Sequence, residues 1–226
     1  MALYYTKENL YREINQFRRF LGIAPNDYPY DLISLLKRYR GLSISCVPFN
    51  TPGLRGICSF GKNGQDDVIL LNSNRTPQEC NFDCAHEAIH LSLHRHEQRP
   101  VFSCSDRVLD KQNPFLEWHA NEGGAELLVP YGDFIPRFHA LYEEQCRFPQ
   151  SHLGIRSQLA EQYNVTRQVI VNRIENLRYE IDQYANGTPI EEIRILSARR
   201  QKELGIVSTD YNARCDFIFD WDALIG

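Results

Sequence analysis

Long apolar runs are missing from this sequence. None approaches the roughly 20 apolar residues needed to span a bilayer, and the N-terminus, Met1-Ala2-Leu3-Tyr4-Tyr5-Thr6-Lys7, lacks the basic-then-apolar order of an export signal. The chain is therefore expected in the cytoplasm, away from membranes. CxxC pairs are also missing. The seven cysteines (46, 58, 80, 84, 104, 146 and 215) are odd in number and form no even framework, so reduced thiols are predicted rather than a disulfide scaffold. Cys80 and Cys84 fall at a spacing that shares one helix face and read as small buried hydrophobes. Positive charge is not in surplus: 25 Lys and Arg against 29 Asp and Glu leave a formal charge of −4, so nucleic-acid binding would need a local basic patch. There is no repeat and no low-complexity tract. What remains is a 226-residue chain, 42% hydrophobic, able to bury a sizeable core.

Leu10, Ile14, Phe17 and Leu21 recur at helical spacing, as do Leu32, Leu35, Leu36 and Tyr39, so two amphipathic helices open the chain. Short apolar runs then follow at Leu42–Val47, Gly56–Phe60 and Val68–Leu71, with Gly61-Lys62-Asn63-Gly64 as a turn signal, and predict strands of a small antiparallel or mixed sheet. Thr76-Pro77-Gln78-Glu79 combines an N-cap threonine, proline at the first helical position and the glutamate of a capping box. A helix should start there and run to about His94. Arg95 to Asn113 reads as a long loop, Asn113-Pro114 as a second helix start and Pro130 as its stop. After a helical stretch ending near Cys146 come a helix, a turn and a Thr166-capped helix over Leu159–Leu177. A charged helical piece, Ile190–Leu204, and an aromatic tail with Phe217, Phe219 and Trp221 complete the chain.

Inside the helix beginning at Thr76 stands His86-Glu87-Ala88-Ile89-His90. Residues four apart share a helix face, so the two imidazoles can reach one cation at about 2.0–2.1 Å. Glu87, one position round, can lie beside the ion without ligating it and move a proton between an attacking water and a leaving amine. Phe82, Ala85 and Ile89 would bury one side of this helix. His94 lies about 12 Å of helical rise from His86, too far for the same ion.

A third ligand should come from the helix after the loop, which offers Glu117, Glu122 and Glu126. Glu117 and Glu126 are about 2.5 turns apart and point in opposite directions. The Glu117 face carries Ala120, Asn121, Gly124 and Leu128, suited to close packing on another helix. The Glu126 face, with His119 and Glu122, reads as solvated.

From about Tyr30 to Leu177 the sequence resembles the ImmA/IrrE metallopeptidases of bacteria and their mobile elements. The resemblance lies in Ile69-Leu70-Leu71-Asn72, then Ala85 through His94, then Glu117-Trp118-His119-Ala120-Asn121 ahead of Ala125-Glu126-Leu127-Leu128-Val129-Pro130. It implies that His86, His90 and Glu117 bind Zn2+ and that Glu87 is the general acid/base. It also implies a protein substrate, a helix-turn-helix repressor often encoded nearby, whose cleavage releases mobile-element or stress-response genes. The sequence departs from the family pattern at Gly123-Gly124, where an aromatic residue and an alanine are usual, and in the polar lead-in Asn81-Phe82-Asp83-Cys84.

Leu159–Leu177 has the form of a DNA-recognition unit that would offer Arg167 and Arg173 to a major groove. Arg156 to Glu203 carries eight basic residues against seven acidic ones, however, and phosphate neutralisation needs a surplus. A helical brace or a platform for a protein substrate fits better. The expected fold is α+β: N-terminal helices, a small sheet, a zincin-like HExxH helix and a helical C-terminal half. The division expected is a metallopeptidase domain over 1–150 and a helical region over 151–226. The activity expected is that of a zinc endopeptidase; the rivals are a zinc-containing regulator that binds repressor or DNA without cutting, and a metal-dependent hydrolase of another bond.

Overall fold

A computed structural model describes residues 5–24, 27–97, 101–105, 113–147 and 154–215; the aromatic tail at Phe217, Phe219 and Trp221 lies outside them. The fold is α+β, and the chain forms two compact units. One comprises Asn9–Leu128 with the residues up to Tyr5, the other Val129 onward with Thr6–Glu8.

The first unit opens with α1 (Lys7–Phe20), whose Leu10, Tyr11, Ile14 and Arg18 side chains are buried. A short α2 (Leu32–Leu36) follows, its first turn capped by the Asp31 carboxylate. Strands β1 (Leu42–Val47), β2 (Leu54–Ser59) and β3 (Asp67–Asn72) fall on the three predicted runs. A fourth, β4 (Val101–Ser105), stands in what reads as a loop. The serines at 103 and 105 dilute its apolar signal, yet Phe102 and Cys104 alternate inward as a strand requires. The sheet order is β1-β3-β2-β4. β1 runs parallel to β3 with Ile44 beside Ile69, while β2 is antiparallel to both β3 and β4, so the sheet is mixed.

One face of the sheet, made by Gly56, Cys58, Ile69, Leu71, Phe102 and Cys104, is covered by α3 (Pro77–Leu93). The helix begins as the sequence predicts. Thr76 Oγ1 accepts the Glu79 N–H at 3.3 Å and Glu79 Oε2 accepts the Thr76 N–H at 2.9 Å, closing the capping box. The polar lead-in has structural partners: Asn81 Oδ1 accepts the Leu32 N–H at 2.9 Å, and buried Asp83 pairs with Arg75 Nε at 2.7 Å and Arg55 Nε at 3.4 Å. From Cys80 to Leu91 every side chain except Phe82 is buried, because the sheet lies on one side and α4 (Pro114–Leu128) on the other.

Helix α4 is unbroken at Gly123-Gly124, and its close approach to α3 explains both glycines. A Cβ at 124 would stand 3.2 Å from the His86 backbone nitrogen, and one at 123 would stand 3.2 Å from Ile14 and Ile89 methyl groups. The Glu126 face is not solvated. His119, Glu122 and Glu126 are all buried, because α1 packs its polar atoms there: Tyr11 Oη donates to Glu122, and the Arg18 guanidinium, which donates to the Leu127 carbonyl, places its charge near Glu126.

The second unit is helical: α5 (Tyr131–Arg147), α6 (Ile155–Gln162), α7 (Arg167–Asn176), α8 (Arg178–Ala185), a 3-10 turn (Ile190–Glu192) and α9 (Ala198–Glu203). Asn164, at φ +52°, makes the turn between α6 and α7, and Thr166 caps α7 by accepting the Val169 N–H. Arg173 does not face outward. It is buried, and its Nε donates to the Val129 carbonyl at 2.9 Å, so of the two arginines proposed for a groove only Arg167 is exposed. Lys7 Nζ, also of this unit, pairs with buried Glu180 at 2.9 Å. The expected helix over Ile190–Leu204 is interrupted because the Gln183 amide grips both the N–H and the carbonyl of Arg194, leaving Ser197 to cap a fresh start. No described helix is long and apolar enough to cross a membrane.

Candidate metal centre

The HExxH spacing places His86 and His90 one turn apart on α3, and Glu117 reaches them from the start of α4. Their ligand atoms converge: His86 Nε2 and His90 Nε2 are 3.1 Å apart, and the Glu117 oxygens lie 3.4 Å from the first and 3.7 Å from the second. Two ring nitrogens and a carboxylate facing one point is the donor set of a three-ligand metal site.

Hydrogen bonds fix which ring nitrogens face that point. His86 Nδ1 donates to Asn121 Oδ1 at 3.1 Å, freeing the Nε2 lone pair. His90 Nδ1 lies 2.8 Å from His94 Nδ1, and His94 Nε2 lies 3.3 Å from His119 Nδ1. If His90 presents its Nε2 lone pair inward, its Nδ1–H donates to His94, which in turn donates to His119. His94 is thus excluded from the ion's position and instead orients His90. Phe102 of β4 stacks on the His90 ring, with centroids 4.4 Å apart, and limits its rotation.

Electrostatics separate the imidazoles into two kinds. Burial lowers His90 to about 4, His94 to about 3 and His119 to about 4, so this chain of imidazoles is neutral. Burial alone would push His86 down as well, but Cys104, Glu117 and Glu87 around it push it well above the usual histidine range. Burial alone would raise Glu117, yet His86 and His90 beside it bring it down to about 2. A divalent ion between these groups would compete with a proton on His86.

Glu87, beside the ligands, is wholly buried, and burial raises it to about 7. Neither carboxylate oxygen accepts from an N–H or hydroxyl group; the buried Cys58 thiol, a weak donor, lies against it. Its space is a cradle left by Gly56, where a Cβ would come within 2.8 Å of Oε1. A carboxylate at this depth with a thiol as its donor is costly unless something more polar, such as a cation or its ligand, sits against it.

All four predicted site residues, His86, His90, Glu117 and Glu87, are thus brought together, and Glu122 and Glu126 are kept away. Sequence reasoning missed Gly56, Phe102 and Cys104, which arrive from strands β2 and β4. The Phe102-x-Cys104 alternation was the available signal for β4; nothing in sequence spacing points to Gly56.

A solved structure described as a Mycobacterium tuberculosis transcriptional regulator is similar to this chain at 13% identity, with a TM-score of 0.46, over 76% of this chain and 47% of that protein. The chain thus spans about half the length of that regulator. No sequence among curated proteins matches. The model of the IrrE N-terminal-like domain, peptidase M78, matches residues 47–175, a span that holds β2 to β4, both metal-site helices and all but the last residue of α7. With more than half its length matched, the chain belongs to the IrrE N-terminal-like peptidase family.

Proposed function

We propose that the chain is a zinc-dependent endopeptidase in which His86, His90 and Glu117 hold the ion and Glu87 is the general acid/base. A zinc ion there would polarise a scissile carbonyl and make water a better nucleophile near neutral pH. The protein's own residues supply the rest. Asn121 and His94 orient the two imidazoles, Phe102 holds the second one in place, and Glu87 takes the proton of the attacking water and returns it to the leaving amine. The observation that carries the proposal is the buried Glu87 carboxylate, without an N–H or hydroxyl donor, beside the convergent donors. A structural zinc site normally closes with four protein ligands and needs no such base.

The proposed substrate is a helix-turn-helix repressor and the proposed outcome is derepression of the genes it controls, in the cytoplasm; the helical region after residue 150 would serve as a platform for that protein substrate. Support comes from the peptidase family and from the inward-facing Arg173, which leaves the helix-turn-helix-like segment poorly equipped for DNA. The test is Glu87→Gln, nearly isosteric but unable to accept the proton. Zinc content and repressor binding should stay at wild-type levels while cleavage, read as new termini by mass spectrometry, falls by roughly 10²-fold or more. Unchanged cleavage at full zinc would refute the mechanism. A wild type that binds the repressor without cutting it would favour the non-proteolytic regulator.

A further inference from the structure

A cavity of about 300 Å³ in the first unit has no part in the metal centre. Its wall is apolar, built from Phe17 of α1, Leu21 just beyond it, Leu36 of α2, Leu42 of β1, and Ala88 and Leu91 of α3. Positions 88 and 91 lie roughly opposite 86 and 90 around a helix of 3.6 residues per turn, so the cavity borders the side of α3 turned away from its two ligand histidines. Phe20 extends the apolar lining to the rim. Its side chain is 71% exposed beside the Tyr39 ring, with centroids 5.7 Å apart, and would gain from being covered.

The charges at this cavity do not cancel. Arg95 is engaged, because its Nη1 donates to Asp67 at 3.2 Å and its guanidinium carbon lies 5.0 Å from the centre of the Phe60 ring. The Ser92 hydroxyl is engaged too, donating to the Ile89 carbonyl at 3.2 Å. Arg40 is different: it is exposed and makes no ion pair or side-chain hydrogen bond among the described residues. It belongs to Lys37-Arg38-Tyr39-Arg40, which carries three exposed basic residues and no acid. The cavity thus pairs an apolar interior with one uncommitted positive charge. At about 30 Å³ for each water-sized atom, it holds a molecule of about ten non-hydrogen atoms.

We propose that this cavity binds a small amphiphilic carboxylate of the medium-chain fatty acid class, with its alkyl chain against the apolar wall and its carboxylate on Arg40. A guanidinium offers two parallel N–H donors to the two oxygens of one carboxylate. The bound chain touches the helix that carries two metal donors without touching the metal centre, so the site stands whether or not the zinc reading does.

The experiment is calorimetric titration of the purified full chain with sodium octanoate, kept below the concentration at which it forms micelles. Saturation at one octanoate per chain is expected, with the negative heat-capacity change of apolar burial. Arg40→Gln should weaken binding by about tenfold, the low end for a hydrogen bond to a charged partner. Octylamine, with the same chain and the opposite charge, should bind more weakly than octanoate. Ser92→Leu, which puts an alkyl side chain into the cavity from an exposed position, should abolish binding. Absence of saturable binding, or equal affinity for octylamine, would overturn the proposal. Wild-type affinity in Ser92→Leu would overturn it as well, since octanoate would then sit elsewhere, the metal centre included. A dimer in sedimentation that Ser92→Leu dissolves would give the cavity to a second copy of the chain and would also overturn it. Should Ser92→Leu not fold, Arg40→Gln and the octylamine comparison decide.

Discussion

Replacing Gly56 by alanine should injure the site without touching a metal ligand. The new methyl carbon would stand 2.8 Å from Glu87 Oε1 and 3.1 Å from its Cγ, well inside van der Waals contact. β2 is hydrogen-bonded on both sides, to β3 and to β4, so the strand cannot retreat. Glu87 lies in the middle of a buried helix, so its backbone cannot retreat either. The carboxylate must therefore rotate out of its cradle. Overpacking of this kind costs about 1–3 kcal/mol, which for a chain of this size lowers the thermal midpoint by about 2–4 °C per kcal/mol. Displacing a proton-transfer group by about 1 Å costs on the order of 10²-fold in rate. His86, His90 and Glu117 are untouched, so metal analysis after dialysis should still find zinc at the wild-type level. Gly132→Ala, at a position where a Cβ meets nothing within 4 Å, is the matched control and should change neither rate nor midpoint appreciably. A Gly56→Ala protein with wild-type cleavage and midpoint would refute the cradle argument.

Glu117→Ala should lose zinc and activity together. Glu126→Ala should keep zinc but lower stability by on the order of 3 kcal/mol, since it removes a countercharge from buried Arg18; retention of zinc by the first or its loss from the second would reverse the assignment. Zinc loading should release a proton, because the groups around His86 push it well above the usual histidine range. Affinity should accordingly weaken as pH falls, and calorimetry in buffers of different ionisation enthalpy would show identical heats if no proton left. Arg173→Met should destabilise the protein by about 1–3 kcal/mol by depriving the Val129 carbonyl of its donor. Duplex-DNA affinity is expected to be weak with and without this change, whereas sub-micromolar binding with a steep inverse salt dependence would contradict the reading of α6 and α7.

The start of α3 was legible because its capping chemistry is local, fixed by Thr76, Pro77 and Glu79 within one turn. The pairing of His86 with His90 was equally local, and Glu117 could be separated from Glu126 by helical phase alone. What phase could not give was burial. Glu126 and His119 are polar yet enclosed, because partners such as Arg18 come from a helix about a hundred residues earlier. β4 escaped notice because five residues with two serines carry little apolar signal. Arg55 and Cys104 meet only because a bulge shifts one strand against another, a long-range event with no signature in spacing.

The close approach at Gly124 gives the two metal-site helices the character of a caliper. Two donors ride on one jaw and the third on the other, and the jaws meet where a hydrogen atom replaces a side chain. A single methyl group there would have to spread the jaws by a few tenths of an ångström, since its carbon would sit 3.2 Å from the His86 nitrogen. Preferred bond lengths of biological cations differ on that same scale, about 2.0–2.2 Å for zinc with nitrogen and oxygen against about 2.3–2.6 Å for calcium. A residue that binds nothing is therefore expected to bear on ion preference, and alanine at position 124 should widen the gauge toward larger cations.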